Sequence, residues 1–246
     1  MSERLIDIVA VSDHPGESRW HAVAPCGSVA GVAAVRPLAA PGLSFLPPPD
    51  PAAAVELSLV VEPDWRRRGI GSRLLAAARD RVGAPGLVTD VTEGSPGEAF
   101  CLRHGFRRAG SRRRDLLTYC DVHRAWLGEL VDTEHPGYHL THPSDDPVLT
   151  TAHAGDDLAA YAVAVVGAAS QPRARQYGPV VLPGHRGHGL GLWVNAALIQ
   201  RLSEIHPHVT EIETATDEDD PALLAVREHL GFRALGHTRR YTLGSA

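Results

Sequence analysis

Apolar and polar positions along the 246-residue chain fall into two copies of one pattern. Residues 5–11, 20–25 and 28–36 are strand-like runs, the last two joined as a hairpin near Cys26 and Gly27. A fourth run, 56–62, ends at Pro63, and an apolar period of 3.6 then predicts a helix over 71–81. Strand 87–92 and a short helix over 96–104 follow, the helix stopped by Gly105-Phe106, and 107–120 closes the set as a strand or hairpin. Residues 12–18 and 83–86 read as turns. Residues 37–51 hold six prolines and read as a loop.

The segment 121–135 is helical in period, with Val122, Trp126 and Leu130 on one face, and links the halves. The order then begins again. Strands are expected over 137–141, 148–154, 158–168 and 175–182, with a turn at 143–147. A long helix over 191–205, a strand over 209–216 and a short helix over 221–230 follow, stopped this time by Gly231-Phe232. A repeat of about 120 residues, each copy with the same element order, predicts tandem domains over 1–120 and 137–246 with a linker helix over 121–136. The strand content exceeds that of a simple βαβ fold, so each domain is α+β or mixed α/β.

Composition narrows the partners. Formal net charge is −5, and all 24 basic residues are arginine, so bulk charge gives no reason to expect nucleic acid. Cys26, Cys101 and Cys120 are too few and too scattered for a disulfide framework or a zinc site, and no histidine cluster has metal-ligand spacing. With no charged-then-apolar leader and no apolar run near the ~20 residues that span a bilayer, no membrane is expected and a cytoplasmic protein is. Arg112 to Arg114 reads as a solvated charge run.

The chemistry gathers where the fourth strand of each half runs into its helix. Arg66-Arg67-Arg68-Gly69-Ile70-Gly71-Ser72 and Arg186-Gly187-His188-Gly189-Leu190-Gly191 occupy equivalent places, offset by 120 residues. Glycines there let backbone N–H groups approach an anion, and the following helix points the positive end of its dipole at the same spot. Both loops therefore read as phosphate cradles.

Strand, proline, Arg-x-x-Gly-x-Gly, amphipathic helix, strand, short helix and Gly-Phe, taken together and twice over, resemble the GNAT superfamily of acyl-CoA-dependent N-acyltransferases, in its tandem two-domain form. The resemblance implies in each half a twisted mixed sheet with a central splayed strand and flanking helices. It implies acetyl-CoA or another coenzyme A thioester as cofactor, and an amine-bearing metabolite, peptide or protein as acceptor. The pyrophosphate would lie on residues 66–72, and the pantetheine arm would pair with Leu59, Val60 and Val61. Val180, Val181 and residues 186–191 would do the same in the second half. Helices that members carry between their first two strands are missing from both halves. The acceptor site is thus expected to be open, or to be completed by the other domain or by a second copy in a homodimer.

By the same resemblance, a backbone N–H seven residues before the cradle arginine binds the thioester oxygen, which falls on Leu59 and on Pro179. Proline has no N–H. Either the second half lacks that donor, or its strand is displaced by a residue around Pro179 and another N–H takes over. Glu56 is the candidate base, with Gln176 as its counterpart. The family's tyrosine acid is replaced by Cys101 and by Arg227. Cys101 is a candidate acid or a core thiol, and His104 lies close enough in sequence to serve instead. Two other readings stay open: a non-catalytic coenzyme A-binding protein, and an acyltransferase supplied by an acyl carrier protein.

Overall fold

The computed structural model describes residues 6–11, 18–37, 55–82, 86–167 and 170–244. The expected turns at 12–17 and 83–85 and the proline-rich loop over 38–51 lie outside the described residues.

In the first half, β1 (Asp7–Val11), β2 (Ser18–Val23), β3 (Val29–Pro37) and β4 (Val55–Val61) form an antiparallel run. Alternation decides which face is buried: Trp20, Ala22, Ala33, Val35 and Leu57 point to one side. On that side lies α1 (Ile70–Val82), whose Ile70, Leu74, Leu75 and Ala78 are buried while its arginines stay in water. Alanines under the helix let it sit close. At Gly31 even a methyl would not fit, since a Cβ there would meet the Val60 carbonyl oxygen at 2.9 Å and Leu74 at 3.2 Å. Then come β5 (Leu87–Val91), α2 (Pro96–Arg103) and β6 (Arg107–Thr118). The Ser95 hydroxyl accepts from the Glu98 N–H and caps α2. Of the two options for 107–120, the strand is the one adopted, with no hairpin.

The helix α3 (Arg124–Asp132) opens the second half, followed by β7 (His139–Asp145), β8 (Val148–Ala154), β9 (Asp157–Val166) and β10 (Arg173–Val181). The expected turn at 143–147 is shorter than anticipated, because β7 continues to Asp145 through an irregularity between Thr141 and Ser144. Next are α4 (Leu190–Ile205), β11 (Glu211–Asp217), α5 (Pro221–His229) and β12 (Arg233–Leu243), the last an element with no counterpart in the sequence-based expectations. α4 is buried over more of its circumference than α1: Trp193, Val194, Leu198, Ile199 and Leu202 are buried, and the charged Arg201 and Glu204 lie near its end. The reason is α3, which packs Leu127, Trp126 and Leu130 into the same core. The Trp193 indole donates to the Val131 carbonyl at 2.9 Å, fixing the end of α3 against α4. The segment expected as a linker is thus part of the second core.

The two compact units do not follow the repeat. One comprises Met1–Ala109 with Arg239–Ala246, the other Gly110–Thr238. The first unit's β5 pairs antiparallel with the end of β12, from Arg239↔Val91 to Leu243↔Leu87. The second unit's β11 pairs with β6, from Glu211↔Thr118 to Asp217↔Arg112. Each half thus gives its closing strand to the other, and the division differs from the expected boundaries at 120 and 137. Tyr241 of β12 is buried in the first core beside Cys101 and Phe106, and its hydroxyl donates to Glu98 Oε1 at 2.7 Å. Among the described residues no helix is long and apolar enough to cross a membrane.

Candidate active site

In the first unit, β4 and β5 run parallel but are paired only at Val55↔Leu87 and Glu56↔Val88. Beyond Glu56 they part. The Val55 N–H donates to the Gly86 carbonyl at 3.0 Å, on the β5 side, while the Glu62 N–H donates to Ala30 at 3.0 Å, on the β3 side. The β3–β4 register between them has no shift, so backbone direction alternates strictly. The N–H and C=O groups of Leu57, Leu59 and Val61 therefore face the opening between the strands. Of these, the Val61 carbonyl already accepts from Arg66 Nε at 2.9 Å, which anchors the cradle to the strand.

The cradle continues from a 3-10 turn at Pro63–Trp65. The Arg68 guanidinium lies 5.0 Å over the Trp65 ring, a cation–π contact. Gly69 has φ 74°, and among the described residues a Cβ there would meet nothing within 4 Å, so they leave the cradle mouth open. Gly71 is required for another reason: its Cβ would lie 3.0 Å from the Phe100 ring. Ser72 Oγ and His104 Nε2 are 3.0 Å apart, which brings His104 to the first turn of α1.

Arg67 is left-handed, with φ 63°, where the second copy has Gly187 at φ 84°. That conformation costs a side-chain-bearing residue about 1–2 kcal/mol, of which glycine's extra unfolded-state freedom takes back about 0.5–1. Arg67→Gly should stabilise the unit by about 0.5–1 kcal/mol, checked by the denaturant midpoint. An unchanged midpoint would mean that the left-handed backbone costs the arginine nothing.

Leu57 is buried under α1, so Glu56, Ser58 and Val60 stand on the opposite face of β4, where among the described residues Val60 is 57% exposed. Glu56 Oε2 accepts from Arg36 Nε at 2.8 Å, its cross-strand partner on β3. Cys101 is 3% exposed, and burial, with Glu98 nearby, pushes its thiol up to about 11. An acid that weak cannot readily protonate a departing thiolate of ordinary pKa, near 8.5. Cys101 is a core residue, which corrects its reading as the acid.

The second unit repeats the cradle and alters what feeds it. Arg186 Nε reaches the Val181 carbonyl at 3.4 Å, and Gly189 again has φ 74°. Against β9, however, β10 steps from Tyr177↔Val163 to Val180↔Tyr161, three residues against two. This bulge at Gly178-Pro179 changes the alignment upstream of it. The offset of 120 holds for Val180 and beyond, but above the bulge the ladders match Arg175 with Glu56 and Gln176 with Leu57. Gln176 is accordingly buried, and its amide donates to Asn195 Oδ1. Its pairing with Glu56 is corrected. Of the two options at Pro179, the displaced strand is the one adopted: Leu59 stands opposite the two-residue bulge, and the missing N–H alone does not distinguish the halves.

What does distinguish them is Arg227, which is fully buried. Its Nη2 donates to the Gly178 carbonyl of β10 and, at 3.0 Å, to Thr214 Oγ1 of β11; its Nη1 lies 3.5 Å from Asn195 Oδ1 of α4. Burial lowers its pKa to about 9, opposed by the Asp115 carboxylate. At the cradle end, His135 Nδ1 is 3.1 Å from the His188 carbonyl oxygen, and its Cε1 lies 3.2 Å from where a Gly189 Cβ would be. Tyr138 and His185 rings meet edge to face beside it.

Residues 16–108 match the family model of the acetyltransferase (GNAT) domain. That match falls on the half whose splayed strands and open cradle have just been described, so the likeness to GNAT acetyltransferases is one of sequence there. The fold extends the likeness over nearly the whole chain. A tandem GNAT protein from the clavulanic acid biosynthesis pathway superposes with a TM-score of 0.65 at 23% identity, covering 94% of this chain and 83% of its own. A GCN5-related N-acetyltransferase-like protein from Streptococcus suis gives 0.61 at 11% identity, covering 91% and 87%. A GCN5-related N-acetyltransferase from Sphaerobacter thermophilus gives 0.56 at 14%, covering 92% and 80%. No curated protein matches the sequence significantly.

Proposed function

We propose that the chain transfers an acyl group, acetyl in the simplest case, from coenzyme A to a primary amine, and that the chemistry belongs to the first unit. The observation that carries this is the parting of β4 from β5 beyond Glu56, with the Leu59 N–H aimed between them and a cradle at the end of β4. The pantetheine arm would take the place of a strand along Leu59 to Val61. Residues 66–72 would receive the pyrophosphate through backbone N–H groups and the α1 dipole. The thioester oxygen would accept from Leu59, whose N–H is best placed for the charge that grows there as the amine attacks.

Glu56 lies on the face of the same strand opposite α1 and would relieve the attacking amine of its proton, directly or through water. Arg36 fixes the carboxylate's position from the neighbouring strand. As the tetrahedral intermediate collapses, the carbon–sulfur bond breaks and the thiolate takes its proton from solvent or from His104. Acceptors reach this site from the face bearing Ser58 and Val60. Glu56→Gln should lower kcat at least ~10²-fold with little change in the affinity for acetyl-CoA. Replacing Gly69 and Gly71 together should abolish binding. Acetyl transfer that survives both changes would sink the assignment.

The inertness of the Cys101 thiol favours one other reading, a protein that binds coenzyme A and does not turn it over. Sustained thiol release from acetyl-CoA with a panel of amines separates the two, since a binding protein releases none beyond background.

A further inference from the structure

The reaction has no use for the fully buried arginine of the second unit, yet that residue sits at the place matching the thioester end of the first. Where β10 and β11 stop pairing, after Arg175↔Glu213, the Arg227 guanidinium spans the opening and holds a backbone carbonyl on one strand and a hydroxyl on the other. In the first unit the sequence position matching Arg227 holds Cys101, a small buried thiol with no guanidinium to bridge the strands that part after Glu56↔Val88. We infer that Arg227 is a built-in occupant that excludes acyl thioesters from the second unit, so that the chain holds a single acyl-CoA molecule. The inference rests on the proposed acyltransferase reading and assigns the donor to one half of it.

Three features make the occupant hard to displace. Asp115, itself with no exposed surface, is the buried carboxylate that balances Arg227, and it is held by Arg113 at 2.9 Å. Swinging the guanidinium out would leave that carboxylate with Arg113 alone, which it shares with Glu228, in a low-dielectric interior. Gly178 belongs to the bulge that turns its carbonyl toward Arg227, and a Cβ there would lie 3.2 Å from the Tyr161 carbonyl oxygen, so the backbone has little room to move away. The far end of the same track is covered too, because His135 rests on Gly189 while Gly69 is bare among the described residues. The cradle motif is retained, and both ends of the path it serves are taken by the chain's own side chains.

Native mass spectrometry of the full chain with acetyl-CoA tests this. The unaltered protein should bind one equivalent, lost in Gly71→Val and retained in Arg186→Ala. Arg227→Ala and Arg227→Cys, the second restoring the first unit's residue and each combined with His135→Ala, should admit a second equivalent wherever thermal melts show them folded. Two equivalents on the unaltered chain, with thiol release still abolished by Gly71→Val, would overturn the occupant and leave the reaction assigned to the first unit. A single equivalent that survives Gly71→Val and disappears with Arg186→Ala would overturn both. Folded Arg227 variants that still bind one equivalent would show that something else closes the second unit. The stoichiometry and its location on the unaltered chain decide the matter even if neither Arg227 variant folds.

Discussion

Leu59→Pro is expected to cut kcat/KM by ~10²–10³-fold, the effect typical of losing one oxyanion donor, while acetyl-CoA still binds. Proline is the sharp probe here because of which way the strand faces. Even-numbered residues of β4 bond to β3, and the odd-numbered ones face the opening, so the substitution breaks no rung of the β3–β4 ladder. What disappears is the one N–H in question, together with the leucine side chain. Leu59→Ala controls for the latter: it keeps the N–H and should retain most of the activity. Steady-state kinetics beside a direct binding titration read both terms. If the proline and alanine variants behave alike, the backbone donor is not at Leu59.

A chain ending at Thr238 should fail to fold its first unit. Removing Arg239–Leu243 strips β5 of its antiparallel partner along its whole length. It also takes Tyr241 out of the core, a loss of about 1.5–3 kcal/mol from burial alone, and deletes the hydroxyl that donates to Glu98. The Arg240 ion pair with Asp90 goes as well. Set against a total stability of about 5–15 kcal/mol, the loss of a whole strand is decisive. Circular dichroism and hydrogen exchange of β1 to β5 would report it. A truncated protein whose first unit keeps native protection would mean that the closing strand is dispensable.

Much of this was legible in the chain. Strand alternation and the 3.6 period located most elements to within a few residues, and the two Arg-x-x-Gly-x-Gly loops sit at equivalent strand-to-helix junctions. What escaped the sequence were relations between segments. A closing strand is read from the sequence only in the first half, over 107–120, and its pattern is silent on which strand it joins; β12 is not read at all. The offset of 120 could not reveal the bulge at Gly178-Pro179, because insertion of one strand residue leaves the motifs on either side intact. That hidden shift misaligned Gln176 with Glu56 and left two options open at Pro179. Arg227 was found by its distance from Gly231, yet its burial and its grip on both strands depend on contacts that periodicity does not encode. The cover that α3 gives α4 was likewise not read from the chain, where 121–136 appears as a linker.

The exchange of closing strands also sets an order of events during synthesis. Domains of a growing chain ordinarily fold as they emerge, the N-terminal one first. Here the first unit must wait while about 130 residues separate Ala109 from Arg239, roughly 7–26 s at typical elongation rates. Throughout that interval β5 presents an unpaired edge, the kind of surface that recruits other nascent strands. The second unit, whose strands from β6 to β11 lie in one continuous stretch, suffers no such delay. The half proposed to carry the chemistry is therefore the last to be finished.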